Sequence, residues 1–190
     1  MNLPCTARDV STGLLFLGYS DELSLSEATI LAERMIRHLQ VCGHDLNGVT
    51  WPSDNGSEFM GSWQAQHDSA LTPVIQRIPG QVHRTLPSGQ HRFQADVETF
   101  HNLMEQVVYE IESFTGRGDF IARANPYQGF FNIARRNSGK ENSTPWPLVQ
   151  LKQPSATPRL PLLSVEFLDG LHDSRLHSAA PAGYDVWALT

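Results

Sequence analysis

The segment that most limits how this chain can fold is a short strand running into an acidic turn. Val49-Thr50-Trp51 is β-branched and aromatic, the composition of a half-buried strand, and it leads into Ser53–Phe59, SDNGSEF. Asn55-Gly56 turns the chain sharply, because both residues tolerate positive φ. Asp54 is then a carboxylate held at a strand end beside a tight turn. Such a support suits a divalent cation, which prefers hard oxygen ligands. Without further context Asp-Asn-Gly is an ordinary turn. Pro52 removes a ladder donor, so the strand either ends at Trp51 or is irregular.

The flanking sequence alternates strand and helix patterns. Cys5–Val10 and Gly13–Tyr19 read as two short strands, or as one strand bent at Ser11-Thr12-Gly13; LLFLGY has the continuous apolar character of a buried strand. Ser24 and Glu27 form a capping box. Ala28, Leu31, Ala32, Met35, Leu39 and Cys42 then share one helical face, with Gly43 as the stop and Arg34, Arg37 and His38 as solvated charge. The strand before Asp54 spans Leu46–Trp51. Ser62–Ile78 is a second helix, shortened or bent by Pro73. Gln81–Leu86 is a short strand and Pro87–Phe93 a polar loop.

The helix from Gln94 to Tyr109 carries a stripe of Val97, Phe100, Met104, Val107, Val108 and Ile111 that reads as core. Glu98 lies one position off that stripe, at the core's rim; taken alone it complements the helix N-terminus. Gly118–Arg136 is a Phe-rich helix that Pro126 kinks or divides. Arg135, Arg136 and Lys140 follow, either as complements to the helix C-terminus or as phosphate contacts. Pro145, Pro147, Pro154, Pro158, Pro161 and Pro181 make a regular element unlikely beyond Thr144, so the reading is a domain over 1–143 and an extended tail over 144–190, partly ordered against the core or a partner.

Composition narrows the function classes. One domain is expected at 190 residues, and 40% apolar with 18% charged residues suits a globular protein. A net charge of −6 does not advertise a nucleic-acid binder, although a local basic patch can coexist with it. Cys5 and Cys42 form no metal-spaced set and read as reduced thiols. The histidines show no HExxH spacing, Ser57 is not in a nucleophile elbow, and no glycine loop for phosphates is present. Met1–Pro4 has no basic leader and Leu14–Leu17 is too short for a membrane span, so the expectation is a cytoplasmic protein with no membrane partner.

Taken together, DNGSEF, the ADVETFH-type helix, Asn132, Arg135-Arg136, Asn142-Ser143-Thr144-Pro145-Trp146 and the Gly183-Tyr184-Asp185-Val186 ending resemble the catalytic core of bacterial integrase-like transposases. This is the DDE group, with an RNase H-like fold. The resemblance covers nearly all of the chain. It implies an α/β fold, a mixed sheet flanked by helices, with Asp54 and Glu98 as the second and third acidic ligands. Two Mg²⁺ or Mn²⁺ ions would be held by oxygen ligands for phosphodiester hydrolysis and strand transfer. His83, Arg84, His91 and Arg92 flank the loop that would arch over the site and are candidates for phosphate contact, with Arg135, Arg136 and Lys140. Ordinary loop polarity is the other reading of the first four.

The first acid is missing from this match. ARDVSTG, with Asp9, resembles the second strand of such a core, so Asp9 is a polar partner at a strand end. The first, central strand would lie upstream of Met1. Its loss would leave the second and fourth strands facing a vacant place. The implied function is a truncated transposase core that acts on double-stranded DNA in the intact family and is inactive as it stands. A homo-oligomer is open. The alternative is a non-catalytic DNA-binding or assembly module; a nuclease of the RNase H kind is a third reading that no residue asks for.

Overall fold

Two strands, β1 (Leu3–Arg8) and β2 (Leu15–Ser20), pair antiparallel with Leu3 opposite Ser20 and Arg8 opposite Leu15. Of the two readings of this region, the hairpin is the one observed. Asp9 makes the turn: its carboxylate accepts the Ser11 N–H at 3.0 Å, the Thr12 N–H at 3.1 Å and both hydroxyls at 2.9 and 2.5 Å. β2 is buried along its whole length, as its apolar run requires. Gly18 permits this: a Cβ there would meet the Leu168 side chain at 2.9 Å. The computed structural model describes residues 3–22, 24–53, 71–85 and 113–171.

Helix α1 (Leu25–Val41) follows β2 and buries Ala28, Ile30, Leu31, Ala32, Met35, Ile36 and Leu39. Ser24 is the N-cap, but its hydroxyl bonds the Glu27 carboxylate rather than a backbone N–H, so the capping box closes through side chains alone. Gly43 has φ +75, and a Cβ there would lie 2.9 Å from the Ser155 carbonyl, so both backbone and space select glycine at this helix end. Arg34 and His38 are not merely solvated. Arg34 bonds the Ser164 carbonyl at 3.1 Å and pairs with Glu166 at 2.9 Å; His38 Nε2 lies 2.9 Å from the Leu160 carbonyl. Both tie α1 to the segment after residue 159. Arg37 is exposed, as expected.

The strand expected over Leu46–Trp51 is β3 (Thr50–Ser53), and it runs through Pro52. It pairs parallel with β4 (Val82–Thr85), Thr50 opposite Val82 and Ser53 opposite Thr85. The Val82 N–H donates to the Val49 carbonyl at 3.1 Å. In a parallel ladder of that register, residues 49, 51 and 53 turn their backbone groups to β4. Pro52 therefore directs its missing N–H to the opposite edge, where no ladder bond to β4 is lost. Between these strands lies α2 (Leu71–Gln76), the described part of the helix expected over Ser62–Ile78. The expected helix Gln94–Tyr109 and loop Pro87–Phe93 lie outside the described residues.

Helix α3 (Arg117–Ile133) is continuous through Pro126 rather than divided there. Its hold on β2 explains this. The Leu15 N–H donates to Asn132 Oδ1 at 2.9 Å, and Asn132 Nδ2 returns bonds to the Leu15 and Pro161 carbonyls at 2.8 and 3.0 Å. One turn back, Gln128 accepts from the Leu17 N–H at 2.8 Å and donates to the Leu163 carbonyl at 2.6 Å. Asn125 accepts from the Val165 N–H at 2.8 Å and donates to the Ile121 carbonyl at 3.2 Å. Asn132 and Gln128 thus stand in for a neighbouring strand along the second edge of β2, while Asn125 holds the segment at Val165. The chain itself completes that edge, with the Tyr19 N–H on the Glu166 carbonyl at 3.0 Å and the Leu168 N–H on the Tyr19 carbonyl at 2.7 Å.

The Pro-rich stretch was expected as an extended tail. Its described part, 144–171, packs into the core, one of the two places expected for its ordered part, but it also forms a regular element, helix α4 (Pro145–Lys152). Pro145 occupies the first helical turn, where a missing N–H costs nothing. Val149, Leu160, Val165 and Leu168 are each 2% exposed or less. The prolines punctuate an irregular but buried chain. The result is a mixed α/β fold with two separate two-stranded sheets among the described residues. One core lies between α1, α2 and the 149–168 region; the other lies between β2 and α3. No described helix is long and apolar enough to cross a membrane.

Candidate functional site

β3 delivers the chain to Asp54, and the last described residue before it is held firmly. Ser53 is buried, with its Oγ 2.9 Å from His83 Nε2 on the adjacent strand. The other ring nitrogen, Nδ1, lies 2.8 Å from Thr72 Oγ1 on α2. A neutral imidazole with a hydroxyl at each nitrogen donates through one and accepts through the other. His83 thus pins the end of β3 to α2. The Trp51 indole N–H donates to Gln81 Oε1, which fixes the other end of the parallel pair. Arg84 is exposed opposite Pro52. Asp54, Glu98, His91 and Arg92 lie outside the described residues.

Asp9 has the role expected of it. Desolvation within its turn works to raise its carboxyl, but the bonds from Thr12 and Ser11 outweigh this and hold it below the ordinary 3.8. Its oxygens are committed to the hairpin turn.

Arg135, Arg136 and Lys140 belong to a group whose further member, Arg8, the sequence did not single out. The Arg135 guanidinium lies over the Phe131 ring, 5.0 Å from its centre, and the Arg8 guanidinium, at the end of β1, lies 5.6 Å from the same centre. Lys140 Nζ donates to the Val10 carbonyl in the hairpin turn at 2.6 Å. It is carried by a 3₁₀ turn (Ser138–Lys140) whose cap is Asn137, with Asn137 Oδ1 accepting from the Gly139 N–H at 3.0 Å. Arg136 is exposed beside them. Only the folded hairpin brings Arg8 to this group, so sequence spacing carried no sign of it.

Elsewhere, an open cleft of about 580 Å³ is lined by Asp21, Glu22, Ser24, Ser26, Glu27 and Asp169. Arg117 answers its charge by pairing with Asp21 and, at 3.5 Å, with Asp169. Burial, with Glu27 nearby, pushes the Cys5 thiol up to about 12, so it is not a nucleophile at neutral pH. Among the described residues no three His, Cys, Asp or Glu side chains converge as a metal site would need. Compared with family models, with curated proteins and with solved structures, the chain matches none.

Proposed function

We propose that this chain is the core of an integrase-type DNA transposase that lacks its first catalytic strand and is defective in strand transfer. The observation that carries the reading is the pairing of the strands. The chain runs hairpin, helix, strand into Asp54, helix, parallel strand, and the two sheets stay separate among the described residues. This is what a sheet lacking its central strand would leave. The two edges without a partner among the described residues agree. Pro52 faces away from β4, and Pro4 faces away from β2, since Tyr19 opposite it turns its backbone groups to 166–168. A proline on an edge removes a donor that a neighbour would need.

In this reading Asp54 and Glu98 would hold divalent cations, and bound cations activate an attacking water or hydroxyl and stabilise the leaving oxygen. The chain's own described part is to fix where Asp54 starts. Ser53, His83 and Thr72 lock the strand end to α2, and Trp51 with Gln81 locks its base. Asp9 cannot replace the absent first acid while its carboxylate closes the hairpin turn. The protein would act in the cytoplasm on double-stranded DNA.

The test is iron-mediated backbone cleavage. Fe²⁺ substituted for Mg²⁺, with ascorbate and peroxide, should cut the chain near both residue 54 and residue 98, and Asp54→Asn should suppress both cuts. Cleavage at one site alone would end the proposal. Purified protein with Mn²⁺ should give no joined transposon-end product; a product lost in Asp54→Asn would show that the first acid is dispensable. A non-catalytic DNA-binding module is the second reading, favoured by the Arg8, Arg135, Arg136 and Lys140 group.

A further inference from the structure

We infer that Asn47 is a site of self-modification, where the backbone nitrogen of Gly48 attacks the side-chain amide and the residue becomes isoaspartate or aspartate. The Gly48 nitrogen bonds to Asn47 Cγ, its proton leaves with the side-chain nitrogen as ammonia, and a succinimide ring remains. Water, the sole co-reactant, then opens the ring. Opening at the main-chain carbonyl leaves isoaspartate; opening at the former side-chain carbonyl leaves aspartate. Among the described asparagines, Asn47, Asn125, Asn132, Asn137 and Asn142, only Asn47 precedes a glycine. With no Cβ, glycine offers the least hindered backbone nitrogen for ring closure. Asn47 and Gly48 are both exposed, and a Cβ at Gly48 would meet nothing within 4 Å. Among the described residues the Gly48 N–H has no acceptor, so no hydrogen bond has to break before that nitrogen reacts.

The two reacting atoms face the same space. A Cβ on Gly80 would sit 3.2 Å from the Gly48 nitrogen and 3.5 Å from Asn47 Cγ, so Gly80, with φ +85, keeps that side of the turn open. One feature opposes the reaction. The Val49 N–H donates to the Leu46 carbonyl and Gly48 has φ +74, which makes Leu46–Val49 a type II turn. Such a turn holds Asn47 at ψ of about +120°, so the Asn47–Gly48 peptide must rotate before the nitrogen can reach Cγ. The closing bond is 3.3 Å long, beyond the usual N–H···O range. A normal hydrogen bond of this kind is worth a factor of roughly ten at most, so the fold slows the reaction without forbidding it. Isoaspartate carries the main chain through the former side chain and adds one carbon between Leu46 and Val49. The Val82 N–H bonds the Val49 carbonyl at 3.1 Å, so the first rung between β3 and β4 starts where this turn ends, and modification loosens it. The inference holds whether or not the chain acts on DNA.

Peptide mapping by mass spectrometry of the full chain, aged at neutral pH, tests this, with fragmentation that separates isoaspartate from aspartate. Methyl transfer from S-adenosylmethionine by an isoaspartyl methyltransferase gives a second readout. Both products should accumulate at position 47, isoaspartate in excess, at a rate within about tenfold of a synthetic Gly43–Trp51 peptide. Asn125, Asn132, Asn137 and Asn142 should stay intact over the same interval. Mapping also separates position 47 from Asn55-Gly56, the same dipeptide outside the described residues. Asn47→Gln keeps the amide but needs a larger ring, and should abolish product at 47. In the aged fraction, separated by its added negative charge, amide exchange at Val82 should be faster than in the fresh chain. An intact Asn47 in the folded chain while the free peptide reacts would overturn the site, because the turn would then forbid ring closure. Aspartate without isoaspartate would overturn the cyclisation, and unchanged exchange at Val82 would overturn its link to the β3–β4 rung.

Discussion

Asp9 illustrates how one carboxylate can be committed to structure rather than to chemistry. Its four hydrogen bonds close the β1–β2 turn and favour the ionised form. A carboxyl with a lowered folded pKa contributes stability above its unfolded value, and that contribution fades as pH falls through the folded value. Asp9→Asn should therefore cost roughly 1–2 kcal/mol at pH 7. The gap to the parent should narrow below about pH 4, the ordinary carboxylate range. Urea unfolding at pH 7 and pH 3 measures it, and a gap equal at both values would mean that the charge is irrelevant to the turn. At the same scale, His83 was legible as a polar residue near the site but not as a strand anchor. Its two hydroxyl partners come from β3 and α2, and sequence spacing cannot bring them together. His83→Phe keeps the ring and removes both bonds, so a loss of roughly 1–3 kcal/mol is expected in thermal unfolding. A neutral result would remove His83 from the account of how Asp54 is placed.

Elements were legible where periodicity or composition spoke alone. The apolar run of β2 and the face of α1 announced themselves, and Gly43 marked the helix end. Proline broke fewer elements than its presence suggested. Pro126 did not divide α3 and Pro145 opened a helix, because tertiary anchors and position within the turn decide what a proline costs. Gln128 and Asn132 stand one helical turn apart, yet their use as a strand surrogate depends on β2 having an open second edge, which spacing alone does not reveal. That use is costly to lose. Asn132→Leu is close in size but leaves the Leu15 N–H and two carbonyls without the partners described above. Buried backbone groups without partners cost about 1–3 kcal/mol each, so the expected loss is about 3 kcal/mol or more. Urea unfolding would measure it, with amide exchange at Leu15 as the local readout. A change below about 1 kcal/mol would mean that water replaces the amide and that α3 is not held to β2 in this way.

At the scale of the molecule, the two sheets are joined among the described residues by packing rather than by strands. Helix α1 contacts the hairpin on one side and α2 on the other, and Leu14, Phe16, Leu71 and Ile75 share its core. Apolar burial is non-directional, so a helix can bridge two half-sheets that no ladder connects. Such an arrangement asks little of the inner edge of β3. That makes Pro52 a probe of whether a further strand lies there, because its nitrogen faces that edge and not β4. In Pro52→Thr the new N–H has no ladder partner if the edge is open. Stability should then change by less than about 1 kcal/mol, and the amide introduced by the substitution should exchange at rates typical of exposed backbone. If another strand lies there, the new N–H pairs, its exchange slows, and stability rises by roughly 0.5–1.5 kcal/mol for the added bond. The two outcomes separate an incomplete sheet from a completed one without any assay of catalysis. Protection of that introduced amide would mean that the central place is filled, and the defect in the proposed transposase core would have to be sought at the acids themselves.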